Sequence, residues 1–288
     1  MRRWVAIGCS TVHDYAAFLP LAGLLWRNRI GYEPIFYLIG DNKIWGTGHP
    51  KVVFDALGKF SFLMGFVEQE KGIEDATMSQ SIRLYAAAAP YLDSNDLLIP
   101  SDADLLPLNR EFYYQHNVER YPIASYYANG YDESMTHLPS CHVSAHVETW
   151  REFMNLNGSS PRESMLKGFE ERNLKAKIKA KEENPQANWG HVWFEDEFNL
   201  SARVRASKFH PDGLQLIRRE GQPPRDRIDR SCWPASYNVL NYSDCHSLRP
   251  MWSDENWARI RPIFEQTMPS ILDWADQYRL DFKKAMGF

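Results

Sequence analysis

The chain has 288 residues, 44% hydrophobic and 24% charged, which is ordinary globular usage and long enough to bury a core without disulfides or structural metals. Its 33 basic and 37 acidic residues leave a formal charge of -4. A binder that works by neutralising nucleic-acid phosphates would show a basic excess, so that class loses weight. The length suits one large domain or two small ones.

The first hundred residues alternate strand and helix. Trp4 to Gly8 is a short uncharged apolar run, as expected of a strand buried on both faces. Asp14 to about Asn28 reads as a helix with Phe18, Leu21, Leu24 and Leu25 on one face. Glu33 to Ile39 and Phe60 to Val67 follow as strands, Ser79 to Tyr91 as a helix, and Asp96 to Pro100 as another buried strand. This alternation predicts a Rossmann-like α/β fold: a mostly parallel central sheet with helices on both faces and ligands at the carboxyl ends of its strands.

The second half is less regular. Ile123 to Tyr127 and Cys141 to Val147 are strand candidates, followed by a helix over Glu148 to Asn155. Pro161 to Glu183 carries 12 charged residues in 23, the pattern of a solvated helix or insertion. Glu195 to Ala206 reads as a helix and Gly213 to Ile217 as a strand. Arg218 to Arg230 holds five arginines with Gly221, Pro223 and Pro224, the composition of a mobile surface loop. Helices over about Asp254 to Gln266 and Ser270 to Ala285 end the chain.

Cys9, Cys141, Cys232 and Cys245 show no CxxC spacing and make no disulfide framework, so a reducing cytoplasm is the expected location. The apolar run from Ala16 to Trp26 has 11 residues and includes Pro20, too short to span a bilayer. Arg2 and Arg3 imitate a signal-peptide start, but the stretch after them ends at Ser10 and Thr11, so export is not expected.

The chemistry concentrates in LLIPSDADLLPL, Leu97 to Leu108, where a buried strand runs straight into Asp102 and Asp104. Carboxylates so placed need cationic partners or a metal, and an oxygen-rich site suits Mn or Mg. Cys9, Ser10 and Thr11 follow the first strand, where backbone and small side chains approach a nucleotide and Tyr15 can stack on its base. Helix capping by Ser10, Thr11 or Asp14 is the competing account. Glu195, Asp196 and Glu197 form a second acidic cluster, explicable either by a helix dipole or, with Trp189 and Trp193 beside it, by a sugar site. His142, His146 and His191 are candidate acceptor contacts.

Five strings in order over nearly the whole chain resemble the GT-A fold glycosyltransferases, and within them the retaining family 8, the galactosyltransferase and glycogenin-like enzymes. IGCSTVHDYAAFLPL is similar to the nucleotide-binding first loop, and SIRLYAAAAPYLDSNDLLIPSDADLLPL to an Arg-bearing helix leading into DxD. CHVSAHVETWREF resembles the later strand and WRE helix, WFEDEFNLS stands where the family has DQ, and DCHSLRPMW resembles HxxGxxKPW. Ser140-Cys141-His142, Asp196-Glu197 and the missing glycine and lysine of the last element are departures from the pattern.

The resemblance implies a GT-A domain over residues 1–250 with a C-terminal helical extension over 251–288. It implies a nucleotide-sugar donor, most simply a UDP-sugar, held by Cys9, Ser10, Thr11, Tyr15, Arg83, Asp102 and Arg249. It implies Mn2+ or Mg2+ on Asp102, Asp104 and His246, and transfer to a glycan or other hydroxyl with retention at Asp196, Glu197 and Glu195. An inverting transferase with Asp196 or Glu195 as base is the alternative within the class. A non-catalytic carbohydrate-binding protein is the alternative outside it. A nucleotidyltransferase would carry a Gly-rich basic loop where GCSTVHDY stands, and a HAD phosphatase would have its DxD after the first strand.

Overall fold

The computed structural model describes residues 1–130, 137–186, 192 and 194–288, so Trp189, His191 and Trp193 lie outside the described residues. Among the described residues, ten strands form two sheets: β1 (Arg3–Cys9), β2 (Glu33–Ile39), β3 (Leu63–Val67), β4 (Leu97–Ser101), β5 (Leu105–Pro107), β6 (Ile123–Ser125), β7 (Val143–His146), β8 (Leu214–Leu216), β9 (Arg227–Asp229) and β10 (Asp244–His246). Seven make the main sheet, in the order β3-β2-β1-β4-β7-β6-β8. The pairs β3/β2, β2/β1, β1/β4 and β6/β8 are parallel, and β7 runs antiparallel to both β4 and β6. The α/β reading with a mostly parallel sheet therefore holds.

Alternation along the strands divides two cores. Val5, Ile7, Cys9, Phe36 and Leu38 face one, and Trp4, Ala6, Ile35, Tyr37 and Ile39 face the other. Both faces of β1 and β2 are thus covered, which is why these strands read as unbroken apolar runs. The C-terminal helices Asp254–Thr267 and Leu272–Ala285 belong to the first core through Trp257, Ile260, Phe264, Tyr278 and Phe282. The Tyr278 hydroxyl donates to the Ala17 carbonyl at 2.9 Å. They share the core of the first residues of the chain rather than standing apart from it.

Several elements differ from expectation. The helix expected over Asp14 to Asn28 is broken into His13–Ala16, Leu19–Leu24 and a π-helical turn Leu25–Ile30, with Pro20 at the start of its second piece. The charged stretch 161–183 is two helices, Pro161–Glu171 and Leu174–Glu183, the first opened by a Ser160/Glu163 capping box. The segment Arg218 to Arg230, expected as a mobile loop, is tied into the protein. It supplies β9 to a second sheet of order β5-β10-β9, and Arg219 is only 5% exposed.

The main sheet positions the helix Asp75–Ile82 closely. A Cβ on Gly8 would lie 2.0 Å from the Ser79 carbonyl oxygen, so the helix rests on β1 where a side chain is missing. Gly8→Ala is expected to displace this helix and lower unfolding free energy by about 1 to 3 kcal/mol, the usual cost of overpacking. Urea denaturation reads this directly, and a midpoint equal to wild type would show that the helix can move away freely.

Candidate functional site

A cavity of about 380 Å³ opens at the carboxyl edge of β1 and β4. Its wall takes Gly8, Cys9, Ser10 and Tyr15 from the first segment, Arg83 from the helical region, and Asp102 and Asp104 after β4. Asp196 and Glu197, then Arg230 and His246, complete it from the second half. Most residues singled out in the sequence therefore meet in one place.

Arg83 organises the floor. It is 4% exposed and sits where the helix Asp75–Ile82 tightens into the 3-10 turn Arg83–Ala88. Its Nη1 pairs with Asp102, while Nη2 reaches Asp196 at 3.0 Å and the Ser140 hydroxyl at 2.8 Å. That hydroxyl donates to Asp196 at 2.7 Å. Burial opposes ionisation of Asp102, but the charge and hydrogen bond of Arg83 outweigh it and hold the carboxyl well below the usual range. Burial pushes Asp196 the other way, above the ordinary carboxylate value, against the same guanidinium.

The second sheet builds the opposite wall. Asp104 immediately precedes β5, and in the ladder His246 at the end of β10 is level with Leu105 and with Asp229 of β9. The Ser247 N–H donates to the Asp104 carbonyl at 3.0 Å, fixing the DxD backbone to the end of β10. The Nδ1 atom of His246 contacts Asp229 at 3.3 Å, and its Nε2 faces Asp104 at 3.8 Å. Burial would raise Asp229, yet its hydrogen bonds to His246 and Ser231 keep it well below the usual carboxylate range.

By residue type alone, two carboxylates and an imidazole could hold a divalent cation. Two carboxylates and one imidazole share the cavity, and the Asp229–His246 contact leaves Nε2 directed toward Asp104, the arrangement in which a carboxylate orients a ligating histidine. Among the described residues, no three His, Cys, Asp or Glu side chains are already gathered as a ligand set. Asp102 is engaged by Arg83 and Asp104 by Arg230 instead.

Other expected residues fall elsewhere. Glu195 turns away, 2% exposed and paired with Arg172 and Lys177, because a helix turns successive residues by about 100° and Asp196 and Glu197 take the cavity side. Thr11 does not line the cavity; its carbonyl contacts His49 at 2.9 Å. The helix His13–Ala16 has Val12 as N-cap with no side-chain bond, so neither Ser10 nor Thr11 is a capping residue. Burial pushes the Cys9 thiol well up, and its hydrogen bond goes to the Ser10 carbonyl. Tyr15 lines the cavity, but Arg249 lies over its ring at 4.4 Å, on the rim beside Arg230.

Of the histidines proposed as acceptor contacts, His142 and His146 do not line the cavity, and His191 lies outside the described residues. His146 ends β7 opposite Leu97, at the far edge of the sheet, and its Nδ1 meets the Asn95 carbonyl. His142 is 1% exposed and belongs to a buried cluster around Asp244. There Arg219 and Arg227 both pair with the Asp244 carboxylate, at 2.8 and 2.7 Å. His137, which carried no sequence signal, stands 2.9 Å from Glu197 and stacks on Phe198 at 4.5 Å. Asp229 was equally silent, while Ser140 stood out only as a departure from the family pattern and Arg230 only as one arginine of the 218–230 loop.

Removing the Asp244 carboxylate would leave two buried guanidinium groups facing each other. Asp244→Ala is expected to cost about 3 to 5 kcal/mol in urea unfolding. A loss below about 1 kcal/mol would mean that water reaches the cluster. Burial also lowers His142 and His116 to about 4, below the ordinary histidine value. The unfolded chain then binds more protons, so stability present above pH 6.5 is lost as pH falls toward 4, by about 1.4 kcal/mol per pH unit for each histidine. His116→Gln should flatten the measured slope; an unchanged slope would assign it to other groups. No protein-family model matches this sequence, and no curated protein matches it significantly.

Proposed function

We propose that the protein is a metal-dependent glycosyltransferase of GT-A type, moving a sugar from a nucleotide-sugar donor, most simply a UDP-sugar, to an acceptor hydroxyl. One observation carries this reading. The first loop, Arg83, the DxD aspartates, Asp196-Glu197 and His246, distant in sequence and matched by resemblance, line a single cavity at the carboxyl edge of a parallel sheet.

Asp102, Asp104 and His246 would hold Mn2+ or Mg2+, which supplies charge stabilisation to a diphosphate leaving group. Cys9 and Ser10 bring the end of β1 against the nucleotide. Arg249, stacked on Tyr15 at the rim, adds a cation on the phosphate side. Asp196 is fixed by Arg83 and Ser140, so its role is to hold the donor sugar in register rather than to move. Glu197 lines the cavity beside it and stands where the family carries an amide. Its carboxylate, which His137 faces at 2.9 Å, is the group placed to stabilise positive charge on the sugar, to capture it, or to take the acceptor's proton.

Incubation with UDP-glucose or UDP-galactose is expected to give Mn-dependent release of UDP that stops in EDTA. Asp104→Asn and His246→Ala should each lower it by more than about 100-fold. Glu197→Gln separates roles: a group that only stabilises charge keeps partial activity, whereas an obligatory nucleophile or base loses nearly all. An anomer retained in the product, read by NMR, fits the family; an inverted one makes Glu197 or Asp196 the base. Donor binding with no turnover under any condition would mark a carbohydrate-binding protein instead.

A further inference from the structure

We propose that Arg230 is a diphosphate ligand held in reserve on Asp104, released to the phosphates when that carboxylate engages a cation. The proposal rests on the metal-dependent reading above and deepens it, because Arg230 belongs to none of the strings that suggested that reading. Its backbone is fixed: the Arg230 N–H donates to the His246 carbonyl at 3.0 Å, immediately after β9. Its side chain, 30% exposed, spans from there to Asp104, where Nη1 meets Oδ2 at 2.6 Å. The same oxygen faces Nε of Arg249 at 3.5 Å and Nε2 of His246 at 3.8 Å. Three nitrogen groups thus converge on one oxygen of the Asp104 carboxylate, a side chain only 3% exposed.

Charge balance decides what happens next. With Asp104 facing the two guanidinium groups, and Asp229 on His246, this wall is close to neutral. When Asp104 serves a divalent cation, Arg230 and Arg249 lose their shared counter-ion while remaining side by side. Two partly exposed guanidinium groups on one rim then call for a compact dianion, and a diphosphate supplies paired phosphate oxygens that accept from the planar guanidinium forks. Arg249 is anchored on the Tyr15 ring at 4.4 Å. Arg230 holds Asp104 through a terminal nitrogen and lines both the cavity and the open depression beside it, so it is the one placed to turn from carboxylate to phosphate. Arg230 therefore competes with the cation when no diphosphate is present and cooperates with it when one is.

One substitution should consequently shift two affinities in opposite directions. Mn(II) binding to the ligand-free protein is measured by electron paramagnetic resonance, and UDP and uridine binding at saturating Mn(II) by calorimetry. Arg230→Ala is expected to bind Mn(II) alone about 5 to 10-fold more tightly, because a competitor for Asp104 is gone. It should bind UDP about 10-fold or more weakly and uridine unchanged, because a charged contact to the phosphates is lost. Arg230→Lys, which keeps the charge without the fork, should fall between wild type and Arg230→Ala in both. Circular dichroism melting of each variant separates these effects from unfolding. Unchanged or weakened Mn(II) affinity, or unchanged UDP affinity, in folded Arg230→Ala overturns the proposal. If wild type binds Mn(II) and Asp104→Asn does not, only the role of Arg230 then falls; if wild type binds neither Mn(II) nor UDP, the underlying reading falls with it.

Discussion

The site depends on one buried guanidinium. Arg83 stands between Asp102, which follows β4, and Asp196, which opens a helix more than ninety residues later, and no other arginine is bonded to either in the described residues. Burying carboxylates is costly unless a cation is brought with them, and Arg83 can be brought because its helix approaches β1 without obstruction at Gly8. Its Nε donates to the Gln80 carbonyl at 2.9 Å, so the fork is aimed before it meets either acid. Local backbone, close packing at a glycine and an ion-pair triad are thus one construction. Its cost is borne by the fold, and its product is a pair of acids held in different protonation tendencies a few ångströms apart.

A second buried cluster holds the other wall. Asp244 binds Arg219, Arg227 and His142, and Arg219 also lies over the rings of Phe112 at 4.8 Å and Tyr127 at 5.5 Å. These residues come from the start of β10, the two ends of the 218–230 segment and the turn before β7. Such clusters contribute less to net stability than to fixing one arrangement among many, since an apolar replacement would often be as stable. Here the arrangement fixed is the register of β9 against β10, and with it the meeting of Asp229, Arg230 and His246 with Asp104. The two clusters meet at one short turn, Ser140 bonded to Arg83 and His142 to Asp244.

What was legible in the sequence follows from length and pattern. β2 reads true at both ends because seven residues with two buried faces leave no ambiguity, and Asp102-Ala103-Asp104 stands out because acids rarely interrupt such a run. β5, β9 and β10 were missed, since three residues carry no periodicity and their pairing is entirely nonlocal. The helix Gly48–Lys59 was missed as well, its first turn holding Gly48 and Pro50, residues that read as a turn. Arg219 and Arg227 resemble solvated arginines until Asp244 is placed beside them, and glycine and proline in the same segment made the loop reading persuasive. Glu195 and Asp196 are chemically alike in the string EDE; only the helical phase sends one to Arg172 and the other to Arg83.

The position of the cavity has its own topological cause. β1 continues to β2 on one side and pairs with β4 on the other, so the connections leaving β1 and β4 diverge and a crevice opens between their carboxyl ends. That alone would give a nucleotide site made from the first hundred residues. The reversal at β7 adds the rest. Because β7 is antiparallel to β4, its first residues lie at the carboxyl end of β4 and its last, His146, at the opposite edge. The turn Ser140–His142 is thereby delivered to the crevice, bringing the hydroxyl that bonds Asp196. Had β7 been parallel, Ser140 would lie at the far edge with Asn95, and neither Arg83 nor Asp196 would have this hydroxyl as a partner. The single antiparallel strand in the middle of the sheet is thus what lets the second half of the chain complete a site begun by the first.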